Sequence, residues 1–258
     1  MFPLGYTAPD AHTRLFCLPH AGAGASAFRR WAGLLAPEVE LVPIQLPGRE
    51  NRLAEPPAAD LGELAAQLTG PVRERAGDRF ALFGHSMGAL VCYELAAALC
   101  DLGTPPVALV VSGHTPPHRP RAKLYPAGLE DADLLEFLET CGGTPAEILA
   151  SKDMVDLILP TLRADLSACR AYRPRPRPPL PVPVTGFVGI EDPVVSPAEF
   201  AGWAELTSAG CHVARLPGGH HGVYDAAALV AATLRRVLAP AGQPRLFLPE
   251  LGVPTWSA

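Results

Sequence analysis

No stretch of this 258-residue sequence reaches the roughly 18 consecutive apolar residues that a membrane-spanning helix requires. The segment Met1-Phe-Pro-Leu-Gly-Tyr6 lacks a basic run followed by an apolar one, so no export signal is read there. A soluble, cytoplasmic protein without a membrane partner is therefore expected. Basic residues are also short, since 21 lysines and arginines stand against 26 acidic residues and leave a formal charge of −5. That balance lacks the basic footprint nucleic-acid binding needs. The six cysteines, Cys17, Cys92, Cys100, Cys141, Cys169 and Cys211, include no Cys-x-x-Cys pair and no grouping with histidine at zinc spacing. Neither a structural metal nor a disulfide framework is expected, and scattered thiols of this kind behave as small core hydrophobes. Charged residues make up only 18% of the chain against 48% hydrophobic, enough apolar side chain to bury a core. Glycine and proline, 24 and 30 residues, form about a fifth of the chain and stop short of a low-complexity composition.

What is present is an alternation of two patterns. Continuous apolar runs bounded by turn residues read as strands over 15–18, 39–46, 80–83, 107–111, 182–189 and 212–216. Between them, apolar residues at i, i+3, i+4 spacing predict helices over 27–35, 61–75, 87–102, 197–206 and 225–238. Strands that are apolar throughout need cover on both faces, so the expected fold is α/β with a mostly parallel, doubly wound sheet. A single domain over 1–258 accommodates this. The alternation breaks once, over about 115–180, where helices are predicted at 129–140, 144–150 and 155–172 but no strand. A helical insertion between core strands is read as a lid. The Arg/Pro segment that follows, 173–183, is expected to be extended and stiff.

The strongest local motif is Phe80-Ala-Leu-Phe-Gly84-His85-Ser86-Met87-Gly88, a G-x-S-x-G between a predicted strand and a predicted helix. A serine on that turn stands above the sheet edge, and the helix N-terminus behind it offers free amides to an oxyanion. A serine hydroxyl needs an oriented base, with acid and base following in the order Ser, acid, His. Gly186-Phe-Val-Gly189-Ile-Glu191-Asp192 supplies the acid, with Asp192 favoured over its neighbour Glu191. Leu216-Pro-Gly218-Gly219-His220-His221 supplies the base, and the paired glycines favour His220 over His221. His85, His114 and His118 are read as structural or incidental. The two oxyanion donors are the Met87 amide and the Ala21 amide of Leu18-Pro-His20-Ala21-Gly22-Ala-Gly24. That loop also fits a G-x-G-x-x-A dinucleotide fingerprint, but the next predicted strand carries no ribose-binding acid until Glu50. No cofactor and no metal are assigned.

These motifs together resemble the α/β-hydrolase type II thioesterases of polyketide and nonribosomal peptide synthases, over roughly 12–240. The resemblance rests on Phe16-Cys-Leu-Pro-His20-Ala-Gly, Gln45-Leu-Pro-Gly48-Arg49-Glu50, the Ser86 turn, Leu162-Arg-Ala-Asp165, Gly189-x-x-Asp192 and Gly218-Gly-His220, in order. His221-Gly222-Val223-Tyr224 departs from it, because bulky apolar residues usually follow the base. The resemblance implies an editing enzyme of antibiotic-type pathways that hydrolyses stalled acyl groups from phosphopantetheine thioesters. Its partner is an acyl or peptidyl carrier protein acting in trans, because the chain has no Gly-x-Asp-Ser-Leu attachment site of its own. It is expected to act as a monomer. A general carboxylesterase of the same fold, or a non-catalytic carrier-binding factor, is the alternative. Arg119, Arg121, Lys123, Arg170, Arg173, Arg175 and Arg177 are candidates for docking an acidic carrier.

Overall fold

Successive side chains of β1 (Thr13–Leu18) point to opposite faces, and both sets are apolar: Leu15 and Cys17 join one core, Phe16 and Leu18 the other, all fully buried. Such a strand is stable only with helices on both sides. The computed structural model, which describes residues 1–3, 6–119 and 125–240, has that arrangement. β1 is followed by β2 (Val39–Pro43), β3 (Phe80–His85), β4 (Leu109–Ser112), β5 (Val184–Gly189) and β6 (Cys211–Leu216). All pair in parallel, in the order β2-β1-β3-β4-β5-β6.

The helices are α1 (Ala32–Leu35), α2 (Leu61–Arg75), α3 (Met87–Asp101), α4 (Asp131–Cys141), α5 (Ala146–Leu149), α6 (Lys152–Ala171), α7 (Pro197–Phe200), α8 (Gly222–Asp225) and α9 (Ala227–Leu238). Leu64 and Leu68 of α2 and Leu90 and Leu95 of α3 pack in the core that holds Phe16. Leu35 of α1 and Val230 and Leu234 of α9 fill the opposite core. Among the described residues, the insertion between β4 and β5 carries α4, α5 and α6, and α6 is anchored by its buried face of Leu159, Leu162, Leu166 and Cys169.

Several predicted elements differ in detail. The single helix expected over 27–35 is a 3-10 helix, Ala25–Trp31, followed by α1. The helix expected over 197–206 is α7 followed by a 3-10 helix, Ala201–Leu206. In both places two large aromatics are buried three residues apart, Phe28 with Trp31 and Phe200 with Trp203. A three-residue turn stacks such a pair on one line. The helix expected over 225–238 is interrupted at Ala226, between α8 and α9. β5 starts at Val184 rather than 182, after Pro181 and Pro183, which have no amide to give a ladder.

Strand order reverses between β1 and β3: the chain runs outward from β1 to β2, then returns to β3 and proceeds the other way. Loops leaving the C-terminal ends of these neighbours diverge and open a crevice, the place where open parallel sheets bind ligands.

Candidate active site

Ser86 occupies that crevice. It follows β3 directly and precedes α3, with φ 53 and ψ −117, one of only two non-glycine residues with positive φ among the described residues. A conformation of this kind costs about 1–3 kcal/mol and persists only where its surroundings enforce it. Here the Ser86 amide donates to the Ser112 carbonyl of β4 at 2.7 Å. Close approach then requires both flanking glycines. A Cβ on Gly84 would lie 2.1 Å from the Gly88 carbonyl oxygen, and one on Gly88 would lie 2.2 Å from that of Leu18. Met87 is the first residue of α3, so its amide has no intrahelical acceptor and faces the crevice end of the helix.

Asp192 and His220 arrive on adjacent loops. Gly189 and Leu216 are paired across β5 and β6, so the chains leave side by side, joined by Glu191 N–H donating to the Gly218 carbonyl at 3.1 Å. His220 Nδ1 lies 3.0 Å from Asp192 Oδ2, and the two side chains are 4% and 0% exposed. The other carboxylate oxygen, Oδ1, accepts from the amides of Val194 at 2.9 Å and Val195 at 3.2 Å. This makes Asp192 a fully hydrogen-bonded buried acceptor, whereas Glu191 is exposed. His221 turns away from that carboxylate and stacks on Tyr224, with ring centroids 6.0 Å apart. His220 stands beside the Ser86 turn, its ring 5.0 Å from that of His85. The described hydrogen bonds join Asp192 to His220, and none joins His220 to Ser86.

Ala21, the second expected oxyanion donor, is buried in the loop after β1. That loop is held from the insertion by a network that no local pattern announces. Asp165 of α6 accepts from the Gly22 amide at 2.8 Å and from both Nη atoms of Arg49, at 2.5 and 2.8 Å. Both side chains of this ion pair are at most 5% exposed. Thr161 of α6 donates to the Gly48 carbonyl at 2.6 Å. Arg49 and Asp165 lie 116 positions apart, and the only sequence signal for either was its place in a family-like motif.

A cluster of rings fills the space between these loops. His20, His85 and His221 meet with centroids 4.6 to 5.7 Å apart, and Tyr224 closes one side. Burial, then the neighbouring histidines, push His20 and His85 well below the ordinary imidazole range, and burial first and His220 second bring His221 down to about 4. All three are therefore neutral at neutral pH. The expectation that His85 is structural or incidental leaves it without an explanation for this position. His114 instead bonds the Thr115 carbonyl at 2.5 Å and the Tyr125 hydroxyl at 2.9 Å, and His118 bonds Glu205 at 2.9 Å.

A cavity of about 210 Å³ lies between the loop after β1 and the insertion, lined by His20, Ala21, Gly22, Leu138, Ile158 and Leu162 among others. A larger one, about 580 Å³, opens around Thr13, Arg14 and Arg79 at the opposite ends of the strands, where none of the candidate catalytic groups is placed. Of the candidate docking cations, Arg177 is turned inward onto Glu94 at 2.6 Å and over Tyr93, which removes it from the outer surface. Arg119 is paired with Glu205. Arg170, Arg173 and Arg175 are exposed. Arg121 and Lys123 lie outside the described residues, as does the chain after Pro240.

A strained serine at a strand-to-helix turn, over the switch point of a parallel sheet and beside a buried Asp–His pair, is the layout of an α/β-hydrolase. The Thioesterase domain family model matches residues 13–238, and the chain belongs to that family. It is 38% identical over 235 residues to the gramicidin S biosynthesis protein GrsT of Aneurinibacillus migulanus, covering 89% of this chain and 92% of the relative. Among solved structures it is similar to the type II thioesterase BorB of the borrelidin biosynthetic cluster, with TM-score 0.81, 34% identity and coverage of 91% and 96%. The RedJ thioesterase of the prodiginine pathway in Streptomyces coelicolor gives TM-score 0.80 and 38% identity, covering 92% of both chains. The protein is a thioester-hydrolysing enzyme with the mostly parallel sheet of type II thioesterase structures. Among the described residues, no helix is long and apolar enough to cross a membrane.

Proposed function

We propose that the chain is a type II thioesterase that releases acyl groups from the phosphopantetheine arm of carrier proteins, with Ser86, His220 and Asp192 as its triad. The observation that carries the assignment is the buried Asp192–His220 hydrogen bond standing beside the Ser86 turn. His220 takes the Ser86 hydroxyl proton as the oxygen attacks the thioester carbonyl, while Asp192 holds the imidazole tautomer and stabilises the imidazolium. The amides of Met87 and Ala21 receive the oxyanion. Collapse expels the pantetheine thiolate, which takes its proton from His220 and leaves an acyl-Ser86 ester. Water, deprotonated by the same ring, then attacks that ester, and the acid departs as Ser86 regains its proton.

The insertion of α4, α5 and α6 acts in this reading as a lid on one domain, and the cavity beneath it suits a small acyl group. The exposed Arg170, Arg173 and Arg175 provide the positive surface an acidic carrier would meet. Intact-mass measurement of acetyl or propionyl release from a phosphopantetheinylated carrier, wild type against Ser86→Ala, tests the proposal. Serine-dependent release, faster than from a free small thioester, is expected. Brisk oxyester hydrolysis with no carrier deacylation would instead define a carboxylesterase.

A further inference from the structure

We infer that His20, His85 and His221 form a three-imidazole site for a borderline divalent transition metal of the zinc class, and that its occupation silences the adjoining nucleophile. One ring nitrogen from each residue lies within 4.8 Å of those of the other two. Zinc at about 2.0–2.1 Å from three nitrogens in a tetrahedron sets them about 3.4 Å apart, so each ring needs to shift by at most about 1 Å. Imidazole is the nitrogen ligand such ions favour, and three of them leave one coordination position open.

Packing alone leaves His85 unexplained. It is fully buried, and among the described residues neither ring nitrogen has a hydrogen-bond partner. The Ser112 carbonyl lies near enough to oppose the downward pKa shift weakly, without meeting hydrogen-bond geometry. A polar group stranded in the interior is destabilising, and here the stranded group faces two further imidazoles. His20 is already oriented, because its Nδ1 meets the Tyr224 hydroxyl at 3.2 Å. An outer contact of this kind normally fixes the tautomer of a ligating histidine. His220 is committed to Asp192 and does not complete the ligand set. His20 and Gly143 of the insertion both line the cavity beneath it, and Gly143 abuts the His221 ring.

His85 precedes Ser86 and His221 follows His220, so an ion bound to both ties the nucleophile turn to the base loop and draws the base away from its working position. The inhibitory half of the inference rests on the triad proposed above, whereas binding does not. Metal-stripped protein titrated with Zn²⁺ by calorimetry is expected to take up one ion per chain. Co²⁺ in its place should show the visible bands of a four-coordinate nitrogen and oxygen set, without a thiolate charge-transfer band from the cysteines. Losing an outer-shell partner typically weakens a site 10–100-fold. Tyr224→Phe is therefore expected to weaken binding by about tenfold and His221→Phe by roughly 100-fold or more. Hydrolysis by the wild type should fall over the same Zn²⁺ range as binding, and that of His221→Phe, relative to its own metal-free rate, should resist. No saturable ion on the wild type, or undiminished affinity in His221→Phe, overturns the site. Stoichiometric binding with unchanged hydrolysis overturns the inhibition. Failure of the triad itself would appear separately, as activity retained in Ser86→Ala.

Discussion

At the scale of single residues, chemistry is set by which of two neighbours faces inward. Glu191 and Asp192 are adjacent, yet only Asp192 carries a carboxylate that is 0% exposed and bonded to a histidine. Asp192→Asn is expected to lower kcat/KM for a carrier-bound thioester by about 10³–10⁴-fold, because the amide cannot hold the required imidazole tautomer. Glu191→Gln should remain within about twofold, as a substitution of an exposed turn side chain. Steady-state kinetics of both, with circular dichroism to confirm the fold, distinguishes them. Thiol chemistry follows burial in the same way. Cys17, Cys92 and Cys169 are at most 1% exposed, and burial pushes the Cys141 thiol up to about 12. Since the thiolate is the reactive form, iodoacetamide at pH 8 should leave these four unmodified in the native protein and label them once it is denatured.

At the scale of elements, the Ser86 turn and the insertion each depend on one contact type. β3, α3 and the end of β1 meet within van der Waals distance at Gly84 and Gly88, so a methyl group there collides with backbone that has nowhere to move. Gly84→Ala is expected to cost more than about 3 kcal/mol, measured as a shift of the urea midpoint. α6 reaches the loop after β1 through the Arg49–Asp165 pair. Removing one partner of a buried pair strands the other charge, so Arg49→Met or Asp165→Leu alone should cost about 3–5 kcal/mol. The double variant should cost less than their sum, and its kcat should still fall, because the Gly22 amide has lost the acceptor that positions its loop. The strands and the longer helices were legible in the sequence, because an apolar period survives any context. The 3-10 segments were not, since Phe28 with Trp31 and Phe200 with Trp203 fit either helix until the core is seen to line them up.

At the scale of the whole molecule, docking of an acidic carrier, as proposed above, requires a local surface, because the overall field of a chain of net charge −5 opposes it. Charge reversal at Arg173 and Arg175 is expected to raise KM for a carrier-bound acyl group several-fold while leaving a free small thioester unaffected, and kinetics on the two substrates at two salt concentrations checks it. The sequence alone determined the parallel α/β architecture and the turn at Ser86, because each is written in a local period or in residues a few positions apart. It did not determine the role of Arg177, which shares a composition with its exposed neighbours but folds onto Glu94. Nor did it determine the joining of Arg49 to Asp165, the orientation of His220 against His221, or the gathering of His20, His85 and His221. Those depend on segments as much as 200 residues apart meeting at the switch point of the sheet, and only the packed tertiary structure decides which side of a loop is buried there.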